Sequence, residues 1–388
     1  MKNIIGPPVE GADFFGREKE FEYVWGRIKD GNNFIFPSPR RVGKTSFALK
    51  LIEAAKAERW NIVSINVEKI TREFEFVEIF TDKLVDLDWF EKLKDGKNKF
   101  IEALGSLKPK IKYEGVEVGL EWNANKVDIY KQITDVIAHD EPTLIFIDEL
   151  TVLLKVILES SEDGKKEVNH FLHWFREIRQ TSKSKIRWIY CSSVGIENFT
   201  HTLGISDTVN DMLKYELRSF SREDSMKMLN VLSRSYGLEI GEDIAESIIN
   251  KLDYCLPYFL QLIFEKINSL IKIEEVPLNI AVVDLAYGVL TGEDHFNTWV
   301  ERINEQYGEN EENAFAILKL ICEEKTGTSR ANILNSLVAT GLEINKAEAV
   351  TSQLIYMLNN DGYLIEENSL YRFRSPLLRD FWFNRFSK

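Results

Sequence analysis

The sequence has little cysteine, no apolar leader at its start and no long hydrophobic run. Three cysteines in 388 residues, each isolated in apolar surroundings, are typical of reduced, buried thiols, so we expect no disulfides. The first eight residues, MKNIIGPP, lack the apolar core of a signal peptide. No later segment approaches the roughly 18 uninterrupted apolar residues of a membrane span. These absences exclude a disulfide-stapled miniature protein and predict a cytoplasmic one.

Positive charge is also scarce. The chain has 49 lysines and arginines against 62 aspartates and glutamates, a net charge of −13 that repels polyanions on average. The composition therefore argues against nucleic-acid binding by the surface as a whole, although it leaves room for a local basic patch. Hydrophobic residues at 44% are enough for a packed interior and exclude disorder as the main state. At about 150 residues per domain, the length predicts two or three domains.

Short apolar runs alternate with amphipathic stretches over the first half of the chain. This rhythm is typical of β–α units that feed a mostly parallel sheet. We therefore predict an α/β core over residues 1–220, with a hairpin inserted near 110–122, where polar and apolar residues alternate. The predicted strands are 33–37, 61–67, 143–147, 186–191 and 214–220.

The strand signals stop after Phe220, and helical spacing replaces them. Ser221 is a typical helix N-cap because it precedes Glu223 and Asp224, two acidic residues in the predicted first turn. We predict a helical lid domain over 221–304. Three helical patterns and two short strand-like runs then predict a winged helix over 305–388. Those patterns lie at 311–323, 329–338, 345–359, 362–366 and 370–374.

The sharpest motif lies between the first predicted strand and the helical run that follows it. A phosphate-binding loop needs backbone N–H groups at a helix N-terminus, a lysine for the β- and γ-phosphates and a hydroxyl for Mg²⁺. Gly43, Lys44 and Thr45 supply these groups. Ser38 replaces the first glycine of the usual pattern, so the loop entry must tolerate a Cβ. A chance Gly-Lys-Thr on a helix face is the alternative. The candidate ligands are Ser38, Pro39, Arg40, Arg41, Val42, Gly43, Lys44, Thr45 and Ser46.

A second motif follows the predicted strand at 143–147. The continuous apolar run ends in Asp148 and Glu149, as expected for a buried parallel strand whose carboxyl end opens on a site. Asp148 would hold Mg²⁺ through water together with Thr45, and Glu149 would position or polarise the attacking water, because phosphoryl transfer depends mainly on placement and charge. The alternative is a core strand that ends in a solvated acidic turn.

Three further side chains are candidates for catalytic support. Ser192 and Ser193 follow the strand at 186–191, where polar groups can sense the γ-phosphate or simply cap the turn, and Ser193 is the catalytic candidate. Arg176 and Arg179 share one stripe of the predicted helix 167–180. Either arginine reaches a phosphate, in its own chain or in a neighbour, or the stripe is a solvated or salt-bridged helix edge.

Together these motifs resemble those of the STAND/AAA+ P-loop ATPases of prokaryotes, in particular the archaeal-type group related to origin-recognition ATPases. The resemblance covers nearly the whole chain. It begins with Phe14-Phe15-Gly16-Arg17-Glu18, similar to a box that precedes the phosphate loop in that family. It continues through the loop and the Asp148-Glu149 strand, and it ends with a winged helix that closes on FRSPLLRDF at 373–381.

The resemblance implies a five-stranded parallel core that binds ATP and Mg²⁺. It places Phe15 and Arg17 near the adenine, whereas a helix N-terminal cap is the alternative for this segment. The lid of the family carries Gly-x-Pro over the nucleotide. The matching stretch here is Cys255-Leu256-Pro257, so Pro257 is the one remaining candidate for that contact.

The resemblance also implies a function. Family members are often nucleotide-driven switches in which ATP binding licenses self-assembly or contact with a protein partner, here in defence or stress signalling, and hydrolysis resets the state. The alternative is a DNA-associated ATPase of the origin-recognition or transposition-regulator type. A third possibility is an ATP-binding scaffold with little turnover.

The charge pattern of the last domain weighs against DNA. Residues 309–388 contain nine basic and eleven acidic residues. The helix that would enter a major groove, at 345–359, has Lys346 and no arginine to contact guanine. Arginines 372, 374, 379 and 385 alternate with aromatic residues, a pattern that favours a packed terminus or protein interface over a nucleic-acid surface.

Overall fold

The computed structural model describes residues 1–37, 41–87, 117–137, 141–181, 185–192, 195–292 and 294–387. The chain divides into two compact units. We call residues 17–37 and 45–216 the core unit, and residues 1–16, 38–44 and 217–388 the C-terminal unit. The division falls after Glu216, close to the boundary predicted at 220, but residues 1–16 and 38–44 group with the C-terminal half.

The core unit is built on a five-stranded sheet in which every strand pair is parallel, in the order β2-β3-β4-β1-β5. The parallel five-stranded α/β core predicted from the sequence is therefore confirmed. The register aligns Ile147 of β3 with Tyr190 of β4, and Cys191 of β4 with Phe36 of β1. The carboxyl ends of β1, β3 and β4 consequently lie at one edge. The strands are β1 (Phe34–Phe36), β2 (Asn61–Asn66), β3 (Thr143–Asp148), β4 (Ile186–Cys191) and β5 (Leu213–Lys214).

The last strand is shorter than predicted. The sequence pattern indicates a strand over 214–220, but β5 covers Leu213–Lys214 and pairs with β1 at only these two positions. Buried β3 is the opposite case, since all six of its residues are buried, as expected for a parallel strand covered on both faces. The helices that cover the sheet form an aromatic core in which the rings of Phe80 and Phe175 lie 6.0 and 5.1 Å from the ring of Trp188.

The helices of the core unit follow the predicted β–α rhythm with one exception. Residues 117–137 form a 21-residue helix, so the hairpin predicted near 110–122 is wrong over 117–122, and 110–116 lie outside the described residues. The alternation there is short, whereas Ile129, Tyr130, Ile133 and Ile137 are buried at helical spacing and decide the local structure. The helices are α1 (Glu18–Lys29), α2 (Lys44–Ala57), α3 (Glu73–Val85), α4 (Glu117–Ile137), α5 (Leu150–Glu159), α6 (Gly164–Gln180) and α7 (Ile196–Leu203).

The C-terminal unit begins with four helices. The predicted cap is present: the Ser221 hydroxyl accepts a hydrogen bond from the Asp224 amide at 3.0 Å. The N-terminal segment belongs to this unit, since the Asn3 side chain donates to the Gln261 carbonyl at 3.1 Å and to a Glu265 carboxylate oxygen at 3.2 Å. The helices are α8 (Arg222–Tyr236), α9 (Glu242–Leu252), α10 (Pro257–Lys272) and α11 (Ile280–Leu290).

Among the described residues, this unit continues with five α-helices and a three-stranded antiparallel sheet in the order β6-β8-β7. Helices and strands occur within a few residues of each pattern noted between 311 and 374, and the winged-helix assignment itself stays a prediction. Arg302 and Tyr307 both bond to the buried Asp361 carboxylate, at 3.1 and 2.8 Å. The elements are α12 (Asn297–Gln306), α13 (Glu311–Glu323), β6 (Thr328–Ser329), α14 (Arg330–Ala339), α15 (Ile344–Asn360), β7 (Leu364–Glu367), β8 (Leu370–Phe373) and α16 (Pro376–Phe386).

The structure bears on the cysteines and on the long apolar segments considered in the sequence. All three cysteines, Cys191, Cys255 and Cys322, are buried. Within the described ranges, no helix is both long enough and apolar enough to cross a bilayer.

Candidate nucleotide site

The phosphate-loop motif leads directly into a helix, as the sequence predicts. Helix α2 begins at Lys44. In the described part of the loop before it, Gly43 has a φ of 93° and Arg41 a φ of 68°. Gly43 is suited to this position because it has no Cβ to strain the left-handed backbone. The first N–H groups of a helix point along its axis and attract anions. Ser38, Pro39 and Arg40 lie outside the described residues, so their predicted contacts are not located.

Thr45 and Asp148 meet at the edge of the sheet. The Thr45 hydroxyl donates a hydrogen bond to the Asp148 carboxylate at 3.0 Å, although 103 positions separate the two residues. Asp148 ends β3 and is 6% exposed, whereas Thr45 lies in the first turn of α2. A hydroxyl oxygen and a carboxylate oxygen are ligands that suit Mg²⁺, which takes few protein ligands and keeps several waters. These two predicted metal ligands therefore fit the ion.

Glu149 has an unusual backbone. It occupies the left-handed region, with φ 59° and ψ 33°, at the N-cap of α5. Its N–H donates to the Asp148 carboxylate at 3.1 Å, and its carbonyl accepts from Val152 at 2.8 Å. A non-glycine residue in this region is strained by about 1–3 kcal/mol and persists where its neighbours hold it. These two hydrogen bonds hold the backbone of Glu149, the predicted water-positioning residue.

Of the two serines that follow β4, the structure describes Ser192. Ser193 lies outside the described residues. Ser192 is buried at 8% exposure, and its hydroxyl is hydrogen-bonded to the Thr151 side chain and accepts from the Thr151 N–H at 3.4 Å. Thr151 had no motif to mark it, because its partner is 41 positions away along the chain.

Arg179 forms a buried ion pair. Its side chain is fully buried, and Nε and Nη2 donate to the two Asp211 carboxylate oxygens at 2.8 Å each. Nη1 donates to the Tyr190 hydroxyl at 2.9 Å, and Nη2 also donates to the Thr208 carbonyl at 2.7 Å. Burial alone would lower the pKa of Arg179, but Tyr190 and Asp211 outweigh it and raise that pKa. This geometry favours the salt-bridged alternative over a phosphate contact for Arg179.

Arg176 is placed differently, although the two arginines share a helix. Its side chain is 25% exposed, and Nη1 contacts the Asp207 carboxylate at 3.5 Å, with Asp207 itself 54% exposed. Arg176 also lines an open groove on the surface of the core unit. The groove is lined by His173, Arg176, Glu177, Gln180 and Thr181. Of the two predicted arginines, Arg176 is the one that a phosphate of another molecule can approach.

The segment expected near the adenine has clear local roles. Arg17 is 6% exposed, has φ 69°, and is the N-cap of α1, where Nη1 contacts the Glu20 carboxylate at 3.1 Å. Glu18 lies in the first turn of the same helix. In the C-terminal unit, the Phe15 ring packs edge-on against Phe220 with centroids 6.0 Å apart. These contacts agree with the helix-cap alternative and leave the adenine contact a prediction.

Pro257 opens helix α10 at the position where a missing N–H costs nothing. The next residue, Tyr258, is 8% exposed, and the Arg41 guanidinium lies 4.4 Å from the centre of its ring. Burial raises the pKa of the Tyr258 phenol, and the Arg41 charge lowers it in part. The phosphate-loop arginine is thus packed on a ring of the C-terminal unit, a contact that sequence reasoning missed because Tyr258 matches no motif.

Of the comparisons with known proteins, the one with solved structures found similar folds. No protein-family model matches the chain, and no curated protein matches it. Among solved structures, a Walker-type ATPase of Pyrococcus abyssi is similar over 98% of this chain and 99% of its own, with a TM-score of 0.65 and 17% identity. The ORC2 protein of Aeropyrum pernix is similar over 97% and 98%, with a TM-score of 0.51 and 13% identity. At these low identities the structural similarity shows a shared fold: a five-stranded parallel α/β core with a helical C-terminal region.

Proposed function

We propose that the chain binds ATP with Mg²⁺ at the loop 38–46 and hydrolyses it, as a slow molecular switch. The observation that carries this proposal is the hydrogen bond of 3.0 Å between the Thr45 hydroxyl and Asp148. It brings the last residue of the phosphate-loop motif to the first carboxylate of the strand-end pair. A chance Gly-Lys-Thr and an unrelated acidic turn would have no reason to meet.

Each residue has a role that its chemistry supports. Lys44 neutralises the β- and γ-phosphates, and the N–H groups at the start of α2 bind phosphate oxygens. Thr45 and Asp148 hold the Mg²⁺, which when bound offsets the charge that develops on the phosphates. Glu149, next to Asp148 and fixed at its backbone, orients the attacking water and accepts its proton. Among the described residues, Arg176 is the candidate to supply positive charge from a neighbouring chain.

The switch is the finer part of the proposal. Residues 38–44 group with the C-terminal unit, and Arg41 packs on Tyr258 there. A ligand that draws the Arg41 guanidinium toward its phosphates therefore changes a contact inside the C-terminal unit. This supports a nucleotide-dependent change in that unit, whose output is self-association or binding of a protein partner, in defence or stress signalling as the family resemblance implies.

Replacing Glu149 by glutamine tests the hydrolysis. Glu149→Gln keeps the shape of the side chain and removes the charge that accepts a proton, so turnover should fall by about 10²–10⁴-fold while ATP affinity stays within about threefold. Phosphate release measures turnover and titration calorimetry measures binding. The matched control is Glu159→Gln, an exposed glutamate at the end of the same helix. Parental turnover in Glu149→Gln would remove Glu149 from the mechanism.

A DNA-associated ATPase is the second candidate, favoured by the fold similarity to an ORC2 protein. The contacts of the C-terminal arginines weigh against it, because each already has a partner. Arg372 contacts Glu367, Arg374 contacts the Leu364 and Asn359 carbonyls, Arg379 contacts Asp380 and Arg385 contacts Asn297. Retardation of random duplex DNA over a salt series distinguishes the two candidates, since tight binding with a steep salt slope would favour DNA.

A further inference from the structure

We propose that Thr151 is a positioning residue for Glu149, acting through its hydrogen bonds to Ser192 at the end of β4. The inference rests on the proposed hydrolysis of ATP and deepens it. It assigns a role in turnover to the buried Thr151 hydroxyl, which no motif marks. All the residues involved belong to the core unit.

Glu149 needs support on both sides of its strained backbone. On the N-terminal side, the Glu149 N–H is bonded to the Asp148 carboxylate at 3.1 Å. The conformation at φ 59° is a few kcal/mol less favourable than an ordinary one, so it persists only when the next residues are also held. The C-terminal side is the first turn of α5, which starts at Leu150.

Thr151 ties that first turn to the neighbouring strand. It is fully buried, its N–H donates to the Ser192 hydroxyl at 3.4 Å, and its own hydroxyl is hydrogen-bonded to the same oxygen. Ser192 is 8% exposed, so water is poorly placed to replace either bond. A buried hydroxyl that loses its partner is destabilised by about 1–3 kcal/mol, which makes the pair resistant to rearrangement.

The position of β4 in the sheet gives the pair its significance. β4 lies between β3, which ends in Asp148, and β1, which leads into the phosphate loop. Buried Leu150, Leu153 and Leu154 hold α5 against the core, but apolar contacts tolerate small rotations and shifts. The directional hydrogen bonds from Thr151 to Ser192 remove that freedom two residues after Glu149. The backbone of Glu149, from which its carboxylate extends, is thereby held relative to the end of β4.

A positioning role and a merely structural one predict different kinetics. If the pair only stabilises the fold, its loss lowers the melting temperature and leaves the turnover of folded protein unchanged. If it places Glu149, its loss lowers kcat while the affinity for ATP stays the same, because Lys44 and the loop still bind the phosphates. A misplacement of about 1 Å in a catalytic group costs up to about 100-fold in rate.

The test uses Thr151→Val, which keeps the shape and removes the hydroxyl, and Thr151→Ser, which keeps the hydroxyl. We expect kcat to fall by about 10- to 100-fold in Thr151→Val, with the Kd for ATP within about twofold, and to recover to within about threefold in Thr151→Ser. Ser192→Ala should lower kcat similarly, and the double variant Thr151→Val with Ser192→Ala should be no slower than the slower single variant.

Thr81→Val is the matched control, since Thr81 is also fully buried and its hydroxyl donates to the Val77 carbonyl at 2.8 Å, within α3. Its kcat should equal that of the parent. Parental kcat in Thr151→Val, or an equal loss in Thr81→Val, would overturn the inference. If Thr151→Val does not fold, parental kcat in Ser192→Ala would overturn it equally. A parent protein that binds ATP without any turnover would instead refute the proposed hydrolysis, and this inference with it.

Discussion

Removing the carboxylate partner of Arg179 should destabilise the core unit far more than removing the partner of Arg176. Asp211→Ala leaves the fully buried Arg179 guanidinium without its counter-ion. The Tyr190 hydroxyl and the Thr208 carbonyl still accept from it, but neither carries a compensating charge. Asp207→Ala is the matched control, because Asp207 is 54% exposed and water replaces it next to Arg176.

The magnitudes follow from burial. Breaking a buried ion pair by deleting one partner costs about 3–5 kcal/mol, and the 18% exposure of the Asp211 side chain places this case toward the lower end. An exposed pair contributes about 0–1 kcal/mol. Each kcal/mol shifts the melting temperature of a unit of 150–250 residues by about 2–4 °C. Asp211→Ala should therefore melt roughly 6–12 °C below the parent, and Asp207→Ala within about 4 °C of it.

Differential scanning calorimetry at one scan rate measures both shifts. If Asp211→Ala and Asp207→Ala melt together, Arg179 does not depend on Asp211 and is free to serve another role, including contact with a phosphate. That result would contradict the assignment of Arg179 to the core. The expected result leaves Arg176 as the arginine to examine in catalysis.

Two further predictions follow from the same region. Turnover per chain should rise with protein concentration, because a cation supplied by a neighbouring chain is worth about 10³–10⁵ in rate. Arg176→Ala should weaken this concentration dependence more than it weakens ATP binding. Specific activity that does not change with concentration in either protein would make Arg176 structural. Burial raises the pKa of Tyr190 to about 12, with Arg179 opposing the shift in part. The neutral phenol is thus favoured in the fold, so its contribution to stability is complete below the unfolded pKa of about 10 and is lost as pH rises through about 12. Tyr190→Phe should flatten the alkaline loss of melting temperature, and an equally steep loss in the variant would contradict this.

The parts of the fold that depend on local pattern could be predicted from the sequence. The strand at 143–148 is fully buried and reads as a continuous apolar run, and the phosphate-loop motif leads into α2 as its residue order requires. Ser221 caps α8 because the hydroxyl and its target amide are three residues apart. In each case the sequence signal that predicts the element lies within a few residues.

The parts that depend on distant partners could not be predicted. Arg176 and Arg179 lie three positions apart on one stripe of the helix, and partners distant in sequence separate their environments, above all Asp211, 32 residues beyond Arg179. The same holds for Thr151 and Ser192, and for Arg41 and Tyr258. The hairpin predicted near 110–122 failed for another reason, since a short alternation was outweighed by the longer helical pattern that follows it.

Titration of Mg–ATP into the parent, Lys44→Ala and Lys50→Ala proteins tests the central claim most directly. Lys44 starts α2 and is the residue proposed to neutralise the phosphates, whereas Lys50 lies in the same helix and pairs with Glu53 at 3.1 Å. The parent and Lys50→Ala should bind with the same affinity, and Lys44→Ala should bind at least about 100-fold more weakly with an unchanged circular dichroism spectrum. Equal affinity in Lys44→Ala, or no binding by the parent, would contradict a nucleotide site at this loop.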